Sequence, residues 1–133
     1  MATFSDQQLV AAAIAASQHA YIPYSRYAVG AALLASDGTL YTGCNVESAS
    51  FSPTICAERT ALVKAVSEGQ REFTAVAVAT RDAGSPCGVC RQLLYEFSPS
   101  LTVILTDLDG NIHLTTMLDE LLPHGFGPVN MKE

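Results

Sequence analysis

The chain has 133 residues, 49% of them hydrophobic, which suits one domain around a single core with little covering to spare for an enclosed pocket. Seven Lys and Arg against 13 Asp and Glu give a formal net charge of -6, which argues against a broad phosphate-binding surface and against nucleic acid as a partner. The N-terminus lacks a basic segment followed by a long apolar run, and no stretch approaches a membrane span, so the expectation is a cytoplasmic protein without a membrane partner.

The sequence holds no repeat, low-complexity segment or interdomain linker, and residues 1–133 read as a single domain. Ser5 with Gln8 three residues on makes a capping box, and Leu9, Val10, Ala13 and Ile14 carry an alanine-rich helix to about His19, ended by Pro23. Apolar runs at 28–35 and 39–45 flank Asp37-Gly38, a strong hairpin signal. The second run delivers Asn45 and Glu47 into a loop. Residues 56–68 have helical character, with Ala57, Ala61, Leu62, Ala65 and Val66 as the buried face and Gly69 as the stop. A strand over 73–80 follows, then a helix over 88–97, strands over 101–106 and 111–115, and a short helix over 117–122 closed by Pro123. This alternation predicts a three-layer α/β/α sandwich with a mixed five-stranded sheet, the first pair antiparallel and the later strands joined by helical crossovers.

The chemistry sits in Ser85-Pro86-Cys87-Gly88-Val89-Cys90-Arg91-Gln92 and in Cys56-Ala57-Glu58-Arg59. Two thiolates in C-x-x-C and a third from another element leave a tetrahedral zinc ion one ligand short, and water can take that place. Zinc lowers the pKa of bound water to roughly 7, so hydroxide becomes available if a base takes the proton. Glu58, two residues after Cys56, is that base. The alternative is a closed zinc knuckle with Cys44 as fourth ligand; Cys44 instead ends a strand-like run, where cysteine is a common small buried residue. Cys56 and the Cys87/Cys90 pair fall at predicted helix N-termini, where the macrodipole favours thiolate. Three thiolates overcompensate the metal charge, and Arg59 is the expected donor to sulfur that corrects it, with Gln92 and Arg91 as weaker choices.

These residues resemble the small, homotetrameric, three-cysteine cytidine deaminases. The resemblance is carried by Tyr24-Ser25-Arg26-Tyr27-Ala28-Val29-Gly30-Ala31-Ala32, Gly43-Cys44-Asn45-Val46-Glu47, the two cysteine motifs and Asp119-Glu120-Leu121-Leu122-Pro123, and it runs from about residue 21 to 127. It implies one Zn²⁺ per chain on Cys56, Cys87 and Cys90, and hydrolysis of cytidine and 2'-deoxycytidine to the uridine nucleosides and ammonia, in pyrimidine salvage. Hydroxide would attack C4 while Glu58 shuttles protons. By the same resemblance Asn45 and Glu47 hold the ribose, Tyr27 packs on the base, and Ala57 and Cys87 contribute backbone groups. Phe51 lies near the sugar end and subunit boundary, and Phe126 closes the pocket of a neighbouring subunit in a tetramer with shared sites. Three positions depart from the family pattern: Ser48 stands where Asn is common, Phe51 where Tyr is, and Tyr27 where Phe is. The rival readings, a non-catalytic zinc domain and a polynucleotide editor, are disfavoured by Glu58 and by the acidic charge balance respectively.

Overall fold

Ser5 caps the first helix through its side chain: Ser5 Oγ accepts from Gln8 N at 3.1 Å and Gln8 Oε1 accepts from Ser5 N at 2.8 Å. In this computed structural model, which describes residues 4–132, that cap starts α1 (Asp6–Ser17). There follow β1 (Gly30–Ala35), β2 (Leu40–Cys44), α2 (Ala57–Ser67), β3 (Phe73–Ala79), α3 (Gly88–Phe97), β4 (Thr102–Thr106), β5 (Ile112–Met117) and α4 (Leu118–Leu121). A 3₁₀ turn at Pro128–Met131 follows them. The expected domain limits, residues 1 and 133, lie outside the described residues. No helix among the described residues is long and apolar enough to cross a membrane.

All five strands belong to one sheet in the order β2-β1-β3-β4-β5. Only β3 and β4 run parallel, across the α3 crossover; the other neighbours are antiparallel. Alternate strand residues face opposite ways and so build two cores. Ala31, Leu33, Val76 and Val78 pack under α2 and α3 with Ala61, Leu62, Ala65 and Leu94. Ala32, Ala77, Ala79 and Ile104 pack under α1 with Leu9, Val10 and Ala13. The result is the expected α/β/α sandwich.

Gly43 determines how α2 meets the sheet. A Cβ at that position would fall 2.6 Å from both the Ala57 carbonyl oxygen and the Ala61 nitrogen, so only glycine lets the first turn of α2 lie on β2. Gly30, Cys44 and Ala79 are register partners, and at this end of the sheet β1 begins while β2 and β3 end. The segments 45–56 and 80–87 leave from here and enter the N-termini of α2 and α3.

The structure departs from the sequence reading in four places. Residues 28–29 are outside β1, because Val29 N donates to the Asn45 side chain at 3.0 Å as well as flanking the strand. β5 continues to Met117, whose pairing with Thr102 adds a last rung and leaves α4 only four residues. The crossover through α2 returns antiparallel to β1, so one parallel pair forms and no more. The 3₁₀ turn has no apolar period to announce it in the sequence.

Candidate active site

Three thiols converge at that end of the sheet. Cys56 is the N-cap of α2 and Cys87 the N-cap of α3, both in extended backbone, while Cys90 lies in the first turn of α3 and is fully buried. Their sulfur atoms all lie within 4.8 Å of one another, with Cys56 Sγ 3.7 Å from Cys87 Sγ and Cys87 Sγ 3.4 Å from Cys90 Sγ. Cys90 N donates to Cys87 Sγ at 3.5 Å. The neighbouring Cys90 thiol, assisted by the Arg59 guanidinium, holds the Cys56 thiol down at about 5; the same proximity and burial push Cys90 up. Arg59 reaches Cys56 Sγ at 3.8 Å and the Thr54 carbonyl oxygen at 3.1 Å, so one guanidinium ties the thiolate to the segment before it. Cys44 ends β2 half-buried, outside this group.

Glu58 projects from the first turn of α2 beside the sulfur atoms. It is 4% exposed, and its Oε1 has no hydrogen-bond partner among the described residues. Burial, reinforced by the nearby Cys56 thiolate, pushes its carboxyl up to about 7. An acid balanced near neutrality can take a proton and return it.

Glu58, Cys56 and Cys87 open onto a pocket of ≈ 420 Å³. Its far wall is the 24–29 segment, fastened by two residues after β2. Asn45 accepts from Val29 N at 3.0 Å and donates to the Tyr27 carbonyl oxygen at 2.8 Å. Glu47 accepts from Tyr24 N at 3.0 Å, from Ser25 N at 3.1 Å and from the Ser25 hydroxyl, which holds its carboxyl below the ordinary value. Tyr27, Val29, Asn45 and Glu47 line this side, and Thr80, Gly84 and Ser85 the side nearest Cys87. Ala57, the first residue of α2, is buried behind Cys56.

Gln92 and Arg91 bond elsewhere than to sulfur, and Phe51 and Phe126 lie outside the thiol pocket of their own chain. The Gln92 carboxamide does not reach sulfur: Gln92 Nε2 donates to the Phe126 carbonyl oxygen at 2.8 Å, because its face of α3 meets the C-terminal segment. Phe51 is 73% exposed and lines an adjoining groove with Tyr24 and Ser48, its ring edge-on to Tyr24 at 6.4 Å, outside the thiol pocket. Phe126 is 58% exposed and also lies outside that pocket. Arg91, a weaker expectation as a sulfur donor, is instead a brace: it donates to the Pro86 oxygen at 2.7 Å, the Leu121 oxygen at 2.8 Å and Ser85 Oγ at 2.6 Å. That brace fixes the segment delivering Cys87 to α4. Asp82 and Thr80, unnoticed in the sequence, join the network around Tyr27.

The family model for the cytidine and deoxycytidylate deaminase zinc-binding region matches residues 4–106. The chain belongs to the cytidine deaminase family. A cytidine deaminase from Sporosarcina psychrophila is 52% identical over 123 residues, covering 90% of each chain. One from Halalkalibacterium halodurans is 48% identical over 130 residues, covering 96% of this chain and 98% of the relative. The crystal structure of cytidine deaminase from Burkholderia pseudomallei superposes with a TM-score of 0.87 at 44% identity, over 92% of this chain and 100% of that one. The donor set here fits the zinc of a cytidine deaminase: three soft sulfur ligands within reach of one ion, and a buried carboxylate beside them with an unused oxygen.

Proposed function

We propose that this protein hydrolyses free cytidine and 2'-deoxycytidine to uridine and 2'-deoxyuridine with release of ammonia. The observation that carries the reading is Glu58 Oε1, buried without a partner at a pocket that also exposes two of three clustered thiols. Cys56, Cys87 and Cys90 would hold zinc, which supplies Lewis acidity and makes hydroxide available near neutral pH. Glu58 takes the proton released by water and delivers it to N3 of the pyrimidine, then helps protonate the departing amine after oxygen adds at C4. Arg59 offsets the charge of the Cys56 thiolate.

Asn45 and Glu47 present polar atoms where a sugar can be held, and Tyr27 presents an aromatic wall for the base. No Lys or Arg is among the described residues lining the pocket, and Glu47 is held anionic, which favours a neutral nucleoside over a phosphorylated one. We assign the activity to one domain in a cytoplasmic homotetramer. Phe51 and Phe126, exposed on the isolated chain and outside its thiol pocket, support subunit contacts that complete neighbouring sites.

Purified zinc-loaded protein offered cytidine, deoxycytidine, CMP, cytosine and adenosine should release ammonia from the first two. Adenosine or CMP as the preferred substrate would overturn the reading.

A further inference from the structure

Tyr27 joins two parts of the pocket that the sequence keeps 55 residues apart. Its backbone belongs to the sugar-side wall: Tyr27 N donates to Ser25 Oγ at 3.0 Å, and its carbonyl oxygen accepts from Asn45. Its phenol crosses to the segment that ends in Cys87, where the hydroxyl donates to Asp82 Oδ1. Thr80 Oγ1 donates to the same Asp82 oxygen at 3.2 Å and accepts from Gly84 N at 2.6 Å, which folds residues 80–84 into a loop around the phenol.

Two further observations show how closely that loop is drawn in. A Cβ at Gly84 would stand 2.7 Å from the Tyr27 hydroxyl oxygen, so the phenol occupies the space a side chain would need. Ala83 adopts φ 55°, a left-handed conformation that costs energy for a residue with a Cβ and persists only where surrounding contacts impose it. The Arg81 guanidinium covers the Tyr27 ring at 4.8 Å from its centroid, a cation–π contact that further limits ring rotation. Gly84, which lines the pocket and donates to the Thr80 side chain, is therefore held against the phenol, while Ser85 beyond it is held by Arg91.

We propose that Tyr27 and Asp82 form a latch that sets the width of the pocket, with Asp82 a positioning residue for nucleoside affinity. The proposal rests on the cytidine deaminase reading and deepens it. Zinc and Cys87 do not depend on the latch, because Arg91 independently braces residues 85 and 86 to α4. Loss of the latch should therefore act chiefly on binding. The low carboxyl pKa of Asp82, set first by the Tyr27 hydrogen bond, keeps the acceptor ionised in the neutral range.

Four zinc-loaded variants test this by steady-state kinetics with cytidine and by calorimetric titration with uridine: Tyr27→Phe, Asp82→Ala, Asp82→Asn, and the double change Tyr27→Phe with Asp82→Ala. Each of the first two should raise KM for cytidine and Kd for uridine about three- to tenfold, with KM carrying the larger share of any kinetic change. The double variant should be no weaker than the worse single one, since both remove the same bond. Asp82→Asn, which keeps a carbonyl oxygen for the phenol, should recover most of the affinity. Wild-type turnover of cytidine together with unchanged KM and Kd in Asp82→Ala, or fully additive losses in the double variant, would overturn the latch alone. Failure of the wild-type protein to release ammonia from cytidine would overturn the proposed function instead.

Discussion

A carboxyl oxygen buried without a partner costs a protein about 1–3 kcal/mol, and Glu58 bears that cost beside the thiols. Chemistry explains its retention better than packing does. Glu58→Gln keeps the shape and removes the exchangeable proton, so zinc should stay near one ion per chain while turnover falls by about 10² to 10⁴ or more. Metal analysis alongside kinetics checks this, and near-normal turnover would remove Glu58 from the mechanism. At this scale the sequence was most readable where partners are close along the chain: C-x-x-C puts two thiols in the cap and first turn of α3, and Cys56-Ala57-Glu58-Arg59 puts thiol, acid and guanidinium in the cap and first turn of α2. Gln92 misled because its carboxamide is claimed by the Phe126 carbonyl 34 residues away. Asp82 was invisible for the same reason, since nothing near it in the sequence announces Tyr27.

At the scale of elements, the seating of α2 on β2 controls where Cys56 and Glu58 stand. Gly43→Ala would push a methyl group against the backbone of Ala57 and Ala61, and overpacking of this kind costs about 1–3 kcal/mol. Denaturant unfolding should show that loss, and zinc should be released to a chelator faster than from wild type; an unchanged midpoint would mean that α2 shifts freely. The β4–β5 turn offers a pH test. Asp107 pairs with His113 at 2.9 Å and accepts from Asp109 N and Asn111 N at 2.9 and 3.0 Å, which holds its carboxyl well below the ordinary 3.8. A carboxyl depressed in the folded state adds stability above its unfolded pKa and gives it up as the pH falls below it. Asp107→Ala should therefore lower Tm at neutral pH, with the gap to wild type closing below about pH 4. Calorimetry across that range checks it, and a constant gap would contradict it. The strand order could not be read from local pattern alone, because a return through α2 serves a parallel or an antiparallel neighbour equally well until the sheet is assembled.

The whole molecule shows an imbalance between its closed core and its open rim. Phe51, Phe126, Val129 and Met131 are exposed, whereas the two sheet faces are filled. In the proposed tetramer these side chains would meet other subunits, and Phe126 would serve a pocket not its own. Phe126→Ala should then weaken nucleoside binding or turnover despite its distance from the pocket within one chain. Mixing Phe126→Ala subunits with Glu58→Gln subunits should yield some sites with an intact acid and an intact neighbouring phenylalanine. Activity above that of either parent is the expected outcome. A fully active monomer in sedimentation, indifferent to Phe126→Ala, would reject shared sites.

Asn45 has both ends of its carboxamide engaged, accepting from Val29 and donating to Tyr27, while it also faces the pocket. Aspartate at 45 would set an anion against the Tyr27 carbonyl, and alanine would release the Tyr27 and Val29 end of the wall, leaving Glu47 to hold the Tyr24 and Ser25 end. In the proposed reading, in which Asn45 also holds the sugar, the residue is thus a poor starting point for redesign, because any change there disturbs scaffold and recognition together. Ser48 carries no such double duty toward that wall: its backbone N–H meets Thr54 Oγ1, and its hydroxyl has only nearby Ser50 for company. Changes at Ser48, which lies outside the thiol pocket, should therefore leave that wall in place, whereas changes at Asn45 should not.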